Sequence, residues 1–342
     1  MNHLSHSFAS DNYSGIHPTI LQAISDANCG HDYAYGTDAW TDKLNDLVKQ
    51  HFGKGTAYPV FNGTGANITA LTAMLPRFGA VICTDKGHIY NDESNAPECV
   101  GGFRMFTIPT EDGKLTPELI DTQAYGFGKE HRSQPAIVHL AMTTEVGTCY
   151  SLDELRAIVA HAKKLGLYTY IDGARLSNAC AYLNCTLKDI ADTGVDMLSL
   201  GGTKNGLMLG ECIVVLNDEF DANMKYMRKM TMQLSSKMRF ISAQFVTWLE
   251  SGLWLELAKH SNEMARHLAN QIQNLDGVTI TQKVQSNAVF VILPKQTVAK
   301  LHEDFYFYDW NEFTGEIRLM MGFDTTIAQV DELANKIKAY LP

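Results

Sequence analysis

The 342-residue sequence is short of positive charge: 28 lysines and arginines stand against 38 aspartates and glutamates, a formal charge of −10. Contacts with a phosphate backbone need clustered basic side chains, so this balance argues against a nucleic-acid partner. Long apolar runs are also missing. The longest, residues 288–293, is far below the roughly 20 residues of a membrane span, so we expect no membrane association. The polar residues among the first 11 predict no signal peptide.

Several ligand-binding patterns are absent as well. The seven cysteines contain no CxxC pair, a usage typical of reduced thiols in the cytoplasm. The missing GxGxxG and GxxxxGK[ST] motifs argue against dinucleotide and ATP sites. His88, Asp92 and Glu93 could bind a metal, but no second cluster supplies further ligands, so we expect none. A small anionic ligand remains possible, because one buried arginine can bind it against the overall charge.

What the chain does contain is a long alternation of β-rich and helical segments. Buried strands are predicted at 81–83, 136–140, 168–171, 197–200 and 212–216. Two of the helices between them have clear starts, a capping box formed by Ser151 and Glu154, and Thr116 followed by Pro117. The alternation predicts an α/β protein with a mostly parallel sheet covered on both faces.

After about residue 240 the pattern changes. A helical region at 242–274 is interrupted near 251–252, strands are predicted at 278–281, 288–293 and 316–321, and the last helix spans 326–341. At about 150 residues per domain the length suits two domains. We therefore expect an N-terminal segment with a large domain over 1–245 and a small C-terminal α+β domain over 246–342.

Reactive residue types follow two of the predicted strands. Asp172 comes directly after the strand at 168–171, and Lys204 lies in the sequence GGTKNG after the strand at 197–200. One predicted helical crossover, 177–192, joins the two sites. Ligands bind at the carboxyl ends of parallel strands, so a carboxylate and a lysine are expected at one rim. Alternatively, Asp172 caps a helix and Lys204 is a solvated loop lysine. This alternative explains either residue alone well, but it explains the occurrence of both at this spacing less well.

Three further features fit the same rim. The turn at 62–67 (NGTGAN) opens a helix at 68–74 and is suited to an anion, or is a plain structural turn. His88 follows the strand at 81–83 and could lie against a cofactor, carry protons, or be a surface histidine. Arg318, within the apolar strand at 316–321, could bind a substrate carboxylate or pair with an acid of its own domain. Pyridoxal 5′-phosphate (PLP) explains all five features, since it requires a lysine, a carboxylate for its ring nitrogen and a phosphate site.

With these motifs assembled, the chain resembles the threonine aldolase/β-eliminating lyase family, in particular its low-specificity L-threonine aldolases, which have the aspartate-aminotransferase fold (PLP fold type I). The resemblance covers nearly the whole chain. It rests on FASDN at 8–12, AYGTD at 34–38, NGTGAN at 62–67, HIYNDE at 88–93, IDGAR at 171–175, SLGGTKNG at 199–206 and IRL at 317–319.

The resemblance implies a role for individual residues. Lys204 would form the Schiff base, Asp172 would pair with the ring nitrogen, Arg175 would approach the ring's phenolic oxygen and His88 would stack on the ring. The other implied cofactor residues are Gly63, Thr64, Gly65, Thr203, Lys229 and Arg239, and the implied substrate residues are Ser10, Tyr35 and Arg318. The family also implies a homotetramer, a dimer of dimers with shared active sites to which Lys229 and Arg239 of a neighbouring subunit contribute.

Two segments depart from the family pattern. Extra residues separate Lys229 from Arg239, and Glu145 lies where the better-known branch has a histidine nearby. The implied reaction is retro-aldol cleavage of L-threonine, L-allo-threonine and other β-hydroxy-α-amino acids to glycine and an aldehyde such as acetaldehyde. The base for the hydroxyl proton stays open between His88, Glu145 and a bound water. An aromatic β-eliminating lyase, an aminotransferase and a nucleotide- or metal-dependent oxidoreductase are the rival hypotheses.

Overall fold

The computed structural model describes residues 7–342 and contains two β-sheets. The strands of the first sheet are β1 (Thr56–Val60), β2 (Gly79–Thr84), β3 (Arg104–Ile108), β4 (Gln134–Ala141), β5 (Tyr168–Asp172), β6 (Met197–Gly201) and β7 (Glu211–Val215). The strands of the second are β8 (Thr279–Ile280), β9 (Ala288–Ile292), β10 (Tyr308–Asn311) and β11 (Glu316–Met320).

The first sheet has the order β1-β7-β6-β5-β4-β2-β3 and is mostly parallel, as the sequence predicts. All five strands predicted within it are present. Strand β7 runs antiparallel to both of its neighbours, β1 and β6. The second sheet has the order β10-β11-β9-β8, and its strand pairs are antiparallel. Strands β1, β3 and β10 are additional to those predicted, and all three lie at sheet edges.

The helices, in chain order, are α1 (Pro18–Asp26), α2 (Ala39–Phe52), α3 (Gly63–Met74), α4 (His88–Asn91), α5 (Pro117–Asp121), α6 (Leu152–Lys164), α7 (Leu176–Leu183), α8 (Leu187–Ala191), α9 (Asp221–Met230), α10 (Arg239–Glu250), α11 (Leu253–Ile272), α12 (Lys295–Asp304) and α13 (Ile327–Tyr340). The predicted capping box of Ser151 and Glu154 begins α6. The single crossover helix predicted at 177–192 is wrong: Asn184 adopts a left-handed conformation and ends α7, and Thr186 caps a separate helix α8.

Apolar side chains from both faces of the large sheet pack beneath α2, α3, α6 and α10, while a second core joins α11, α13 and the four-stranded sheet. Phe8 belongs to this second core, so the N-terminal segment packs with the C-terminal part of the chain. The division predicted at residue 245 falls inside α10 and stays a prediction. Between residues 7 and 342, none of the helices combines the length and apolar character needed to cross a membrane.

Candidate active site

The two loops that follow β5 and β6 are in direct backbone contact. The two strands are parallel neighbours, paired through Tyr170 and Met197. The backbone N–H of Gly201 donates to the carbonyl of Gly173 at 2.9 Å. A Cβ atom on Gly173 or Gly201 would collide with the opposite backbone, so both positions require glycine. The predicted meeting of the DGAR and GGTKNG segments at one rim is confirmed.

Lys204 lies in a strongly charged enclosure at this rim. Burial is the largest influence that lowers the pKa of its ammonium, and the charge of Arg175 adds to it. The carboxylates of Asp11 and Asp172 oppose that shift without reversing it. A lowered pKa increases the neutral fraction of the amine, which is the nucleophilic form.

Glu211, the first residue of β7, also acts on Lys204 and was not predicted. It is 4% exposed, and its Oε2 has no hydrogen-bond partner. Burial raises the pKa of Glu211 to about 8, although the charge of Lys204 pulls it down. A buried acid beside the lysine can therefore exchange a proton near neutral pH.

Asp172 is held by two hydrogen bonds. Its Oδ1 accepts from the backbone N–H of Ala174 at 3.0 Å and its Oδ2 from the side-chain amide of Asn67 at 2.9 Å. Burial would raise the pKa of Asp172, but the nearby His139 and these two hydrogen bonds outweigh it and lower the pKa. Burial lowers the pKa of His139 itself while the charge of Asp172 opposes that shift, so the two hydrogen bonds are the stabilising contacts of Asp172 that do not depend on the charge of the histidine.

His88 is fixed by two glutamates. Its Nδ1 is 3.0 Å from Oε1 of Glu93, and its backbone N–H donates to Oε1 of Glu145 at 2.7 Å. The hydrogen bond to Glu93 raises the pKa of the imidazole, and burial opposes it. Because Nδ1 faces a carboxylate, the neutral ring carries its proton there and leaves Nε2 as the free acceptor. Glu93 also accepts from Asn67 at 2.7 Å, which links the His88 and Asp172 parts of the site.

The second carboxyl oxygen of Glu145 is different in character. Its Oε2 is buried and without a hydrogen-bond partner, whereas Oε1 is occupied by the His88 N–H. Burial raises the pKa of Glu145 to about 7, and the hydrogen bond from His88 only partly offsets it. This carboxyl group can therefore donate or accept a proton at neutral pH.

The start of α3 forms a polar cradle, which pairs a glycine-containing first turn with the positive end of the helix dipole. Asn62 caps the helix and uses its side chain on the N–H of Gly65 at 2.7 Å, while Gly63 and Thr64 form the first turn at the positive end of the dipole. A Cβ on Gly63 would point into open space, but one on Gly65 would collide with the side-chain amide of Gln233. These residues fit an anionic group, and Gln233 forms one wall of the cradle.

Two partly buried arginines have contrasting partners. Arg175 donates through Nε and Nη2 to both carboxyl oxygens of Asp11, at 2.7 and 2.9 Å. Arg318 donates from Nη2 to the carbonyl of Ala9 at 2.9 Å, and its Nε is buried without a partner. Burial, with the charge of Arg175, lowers the pKa of Arg318 to about 10, so it remains a cation. Ser10 follows Ala9, so two of the three predicted substrate residues, Ser10 and Arg318, lie close together.

The remaining predicted residues occupy two other places. The hydroxyl of Thr203 accepts from the N–H of Gly210 at 3.1 Å, which braces the lysine loop. Lys229 lies over the ring of Tyr35 at 5.4 Å, on an exposed surface. Arg239 donates to the carbonyl of Gly30. The structure therefore groups Lys229 with Tyr35 at the surface rather than with the cluster of Asp172, Lys204 and Arg318.

Sequence reasoning missed three polar residues of the site, His139, Glu211 and Gln233. Asp11, Asn67 and Glu93 stand in the motifs quoted above, but their contacts with Arg175, Asp172 and His88 were not predicted. His139 and Glu211 carry a usable signal, because each is a titratable residue within an apolar strand sequence, AIVHLA or ECIVV. Asn67 and Gln233 carry none, since their partners lie far away in the chain.

Known proteins resemble this chain over nearly its full length. A family model described as beta-eliminating lyase matches residues 7–296. A low specificity L-threonine aldolase of Pseudomonas aeruginosa is 41% identical over 338 residues, covering 97% of this chain and 96% of its own. The threonine aldolase of Leishmania major has a TM-score of 0.93 at 32% identity, covering 98% and 99% of the two chains. A serine palmitoyltransferase of Sphingomonas wittichii shares the fold at 16% identity and a TM-score of 0.74, covering 97% of this chain and 86% of its own.

Proposed function

Because the chain belongs to the beta-eliminating lyase family, we propose that it is a PLP-dependent aldehyde lyase that cleaves L-threonine, L-allo-threonine and related β-hydroxy-α-amino acids to glycine and an aldehyde. The fold is PLP fold type I, as the sequence resemblance implies. The observation that carries the proposal is the meeting of Lys204 and Asp172 in two contacting loops, with Arg318, whose Nε has no partner among the described residues, as a third group.

Each part of the cofactor has a suitable group in the site. When bound, PLP supplies an aldehyde that condenses with amines and a ring that accepts the electron pair of the breaking bond. Lys204 would hold the aldehyde carbon, and the ionised Asp172 would keep the ring nitrogen protonated. The N–H groups of Gly63 and Thr64 would bind the phosphate, and His88 would cover one ring face. Asp11 fixes the guanidinium of Arg175, which would approach the phenolic oxygen of the bound cofactor.

The substrate needs an anion site and a base. Arg318 would bind the α-carboxylate, with Ser10 beside it, because its Nε lacks a protein acceptor. The β-hydroxyl proton must leave as the Cα–Cβ bond breaks. Of the candidate bases, Glu145 suits this step best, because its Oε2 is free and its pKa is raised by burial to about 7. His88 would orient Glu145 through its backbone N–H.

We further propose a homotetramer built from dimers that share active sites. Four large side chains stand exposed near Lys229, and a second copy of the chain would cover them: Tyr33, Tyr35, Met230 and Met232 are 79%, 50%, 62% and 73% exposed. The cytoplasm is the proposed location. The seven cysteines are scattered without a CxxC pair, a usage typical of reduced thiols.

The first test is covalent capture of the cofactor. The purified protein with added PLP should show a visible absorption band that borohydride bleaches, and Lys204→Ala should lose the band and the activity. The exposed Lys259→Ala is the matched control and should retain both. Product analysis with L-threonine, L-allo-threonine and phenylserine should give glycine plus aldehyde. Ammonia with a keto acid, or a requirement for an amino acceptor, would instead support a β-eliminating or aminotransferase reaction, and a band that survives in Lys204→Ala would refute the assignment.

A further inference from the structure

The guanidinium of Arg318 lies against two aromatic rings of the neighbouring strand. Its Cζ is 4.6 Å from the ring centre of Trp310 and 5.2 Å from that of Tyr308. Tyr308 pairs directly with Arg318 across β10 and β11, and Trp310 follows two residues later on the same strand. Both distances are within the range in which a cation is attracted to an aromatic face.

This arrangement differs from that of the other arginine of the site. The N–H groups of Arg175 are used by Asp11, a partner that neutralises its charge. Aromatic faces attract a cation without accepting its in-plane N–H groups in the way a carboxylate does. Arg318 is therefore held in place without a carboxylate of the described residues paired to it, although Asp11 and Asp92 act on its charge from a distance, and its Nε stays free. An incoming carboxylate does not have to displace an acidic side chain.

The rings are themselves fixed by other contacts. Trp310 meets Phe290 edge to face, with ring centres 5.3 Å apart, in a cluster that includes Val146, the residue after Glu145. The hydroxyl of Tyr308 is 2.9 Å from that of Tyr13. Trp310 thus connects the carboxylate-binding arginine with the turn that carries the proposed base.

We propose that Trp310 and Tyr308 are positioning residues that hold Arg318 for the substrate carboxylate and make the enzyme discriminate amino acids from simple amines. This inference rests on the proposed function, because it assigns a role in binding the same substrate. It concerns the affinity for the carboxylate and not the chemistry at Lys204. Loss of a ring should therefore weaken binding of amino acids more than binding of amines.

The experiment compares ligands that differ only in the carboxylate. Binding of L-threonine and of 1-amino-2-propanol, which is threonine without its carboxylate, is followed by the spectral change of the PLP-loaded enzyme. In Trp310→Leu, the KM for L-threonine should rise roughly 3- to 30-fold with kcat within about 2-fold, and 1-amino-2-propanol should bind as to wild type. Trp310→Phe keeps a ring and should recover most of the affinity. Tyr308→Leu should act in the same direction as Trp310→Leu, and Tyr308→Phe should stay near wild type.

Tyr125→Leu is the matched control. Its ring lies 3.8 Å from Arg132 on the surface, so the same type of contact is lost elsewhere, and both ligands should bind normally. An equal loss of affinity for both ligands in Trp310→Leu, or no loss for L-threonine, overturns the proposal. If Trp310→Leu does not fold, Trp310→Phe and Tyr308→Leu decide in the same assay. A wild-type protein that binds neither ligand would overturn the proposed function and this inference with it, whereas failure of the ligand difference alone leaves the proposed function intact.

Discussion

Glu145→Gln should make the protein more stable, and only at neutral and alkaline pH. Burial raises the pKa of this carboxyl from 4.5 to about 7. At pH values between 4.5 and about 7 the unfolded chain releases the carboxyl proton while the folded chain keeps it. The free energy of unfolding therefore falls as the pH rises through this range, and the loss is complete above the folded pKa. Each pKa unit corresponds to 1.36 kcal/mol, so the full loss in the free energy of unfolding is about 3.4 kcal/mol. Glutamine cannot ionise, but it retains an acceptor for the His88 N–H.

We expect Glu145→Gln to raise the free energy of unfolding by about 3 kcal/mol at pH 8 and by less than about 1 kcal/mol at pH 5. For 342 residues, an unfolding entropy near 2 cal/mol/K per residue makes 3 kcal/mol correspond to roughly 4 °C in Tm. Calorimetry of the cofactor-free protein at both pH values measures this. Glu263→Gln, at an exposed position, should show no such pH-dependent difference. A Glu145→Gln variant that is equally shifted at both pH values, or less stable at pH 8, would refute an enclosed carboxyl with a raised pKa.

Two other substitutions test the cradle and the arginine pair. Gly65→Ala should lower the Tm of the cofactor-free protein slightly and weaken PLP binding roughly tenfold, because the new methyl group displaces the Gln233 side chain, which then loses its hydrogen bond from the N–H of Phe61. Gly63→Ala should leave that Tm unchanged, and equal Tm values for the two variants would contradict the packing. Asp11→Asn should lower the free energy of unfolding, measured with denaturant, by about 3–5 kcal/mol, because the largely buried Arg175 guanidinium loses its counter-charge. A decrease below about 1 kcal/mol would show that the pair is not enclosed.

Strands and helix starts were predictable wherever the signal is local. The central strands are buried on both faces and show as apolar runs, so each was found. Strand β3 escaped because its first residue, Arg104, is exposed at the sheet edge, and β10 because its residues are only partly buried. The sequence also does not predict that β7 runs antiparallel to its neighbours, because an apolar run has the same residue pattern in either strand direction.

The site was predictable in its reactive residues but not in what holds them. Lys204 and Asp172 stand next to predicted strand ends, so the parallel sheet brings them together without further information. The pairing of Asp11 with Arg175 spans 164 positions, and that of Asn67 with Asp172 spans 105. Such contacts depend on packing between elements that no local pattern relates. The electrostatic state of Glu145 likewise depends on enclosure by several distant segments.

The short stretch from Phe8 to Asp11 has a consequence for biosynthesis. It lies beside β11, where the N–H of Met320 donates to the carbonyl of Phe8, and the Ala9 carbonyl receives Arg318 from 309 positions away. These early residues can take their final place only after β11 has left the ribosome. Closing so long a loop is slow compared with local folding. The central sheet can therefore form during translation, while Arg318, which we propose binds the substrate carboxylate, is put in place only after β11 has been made.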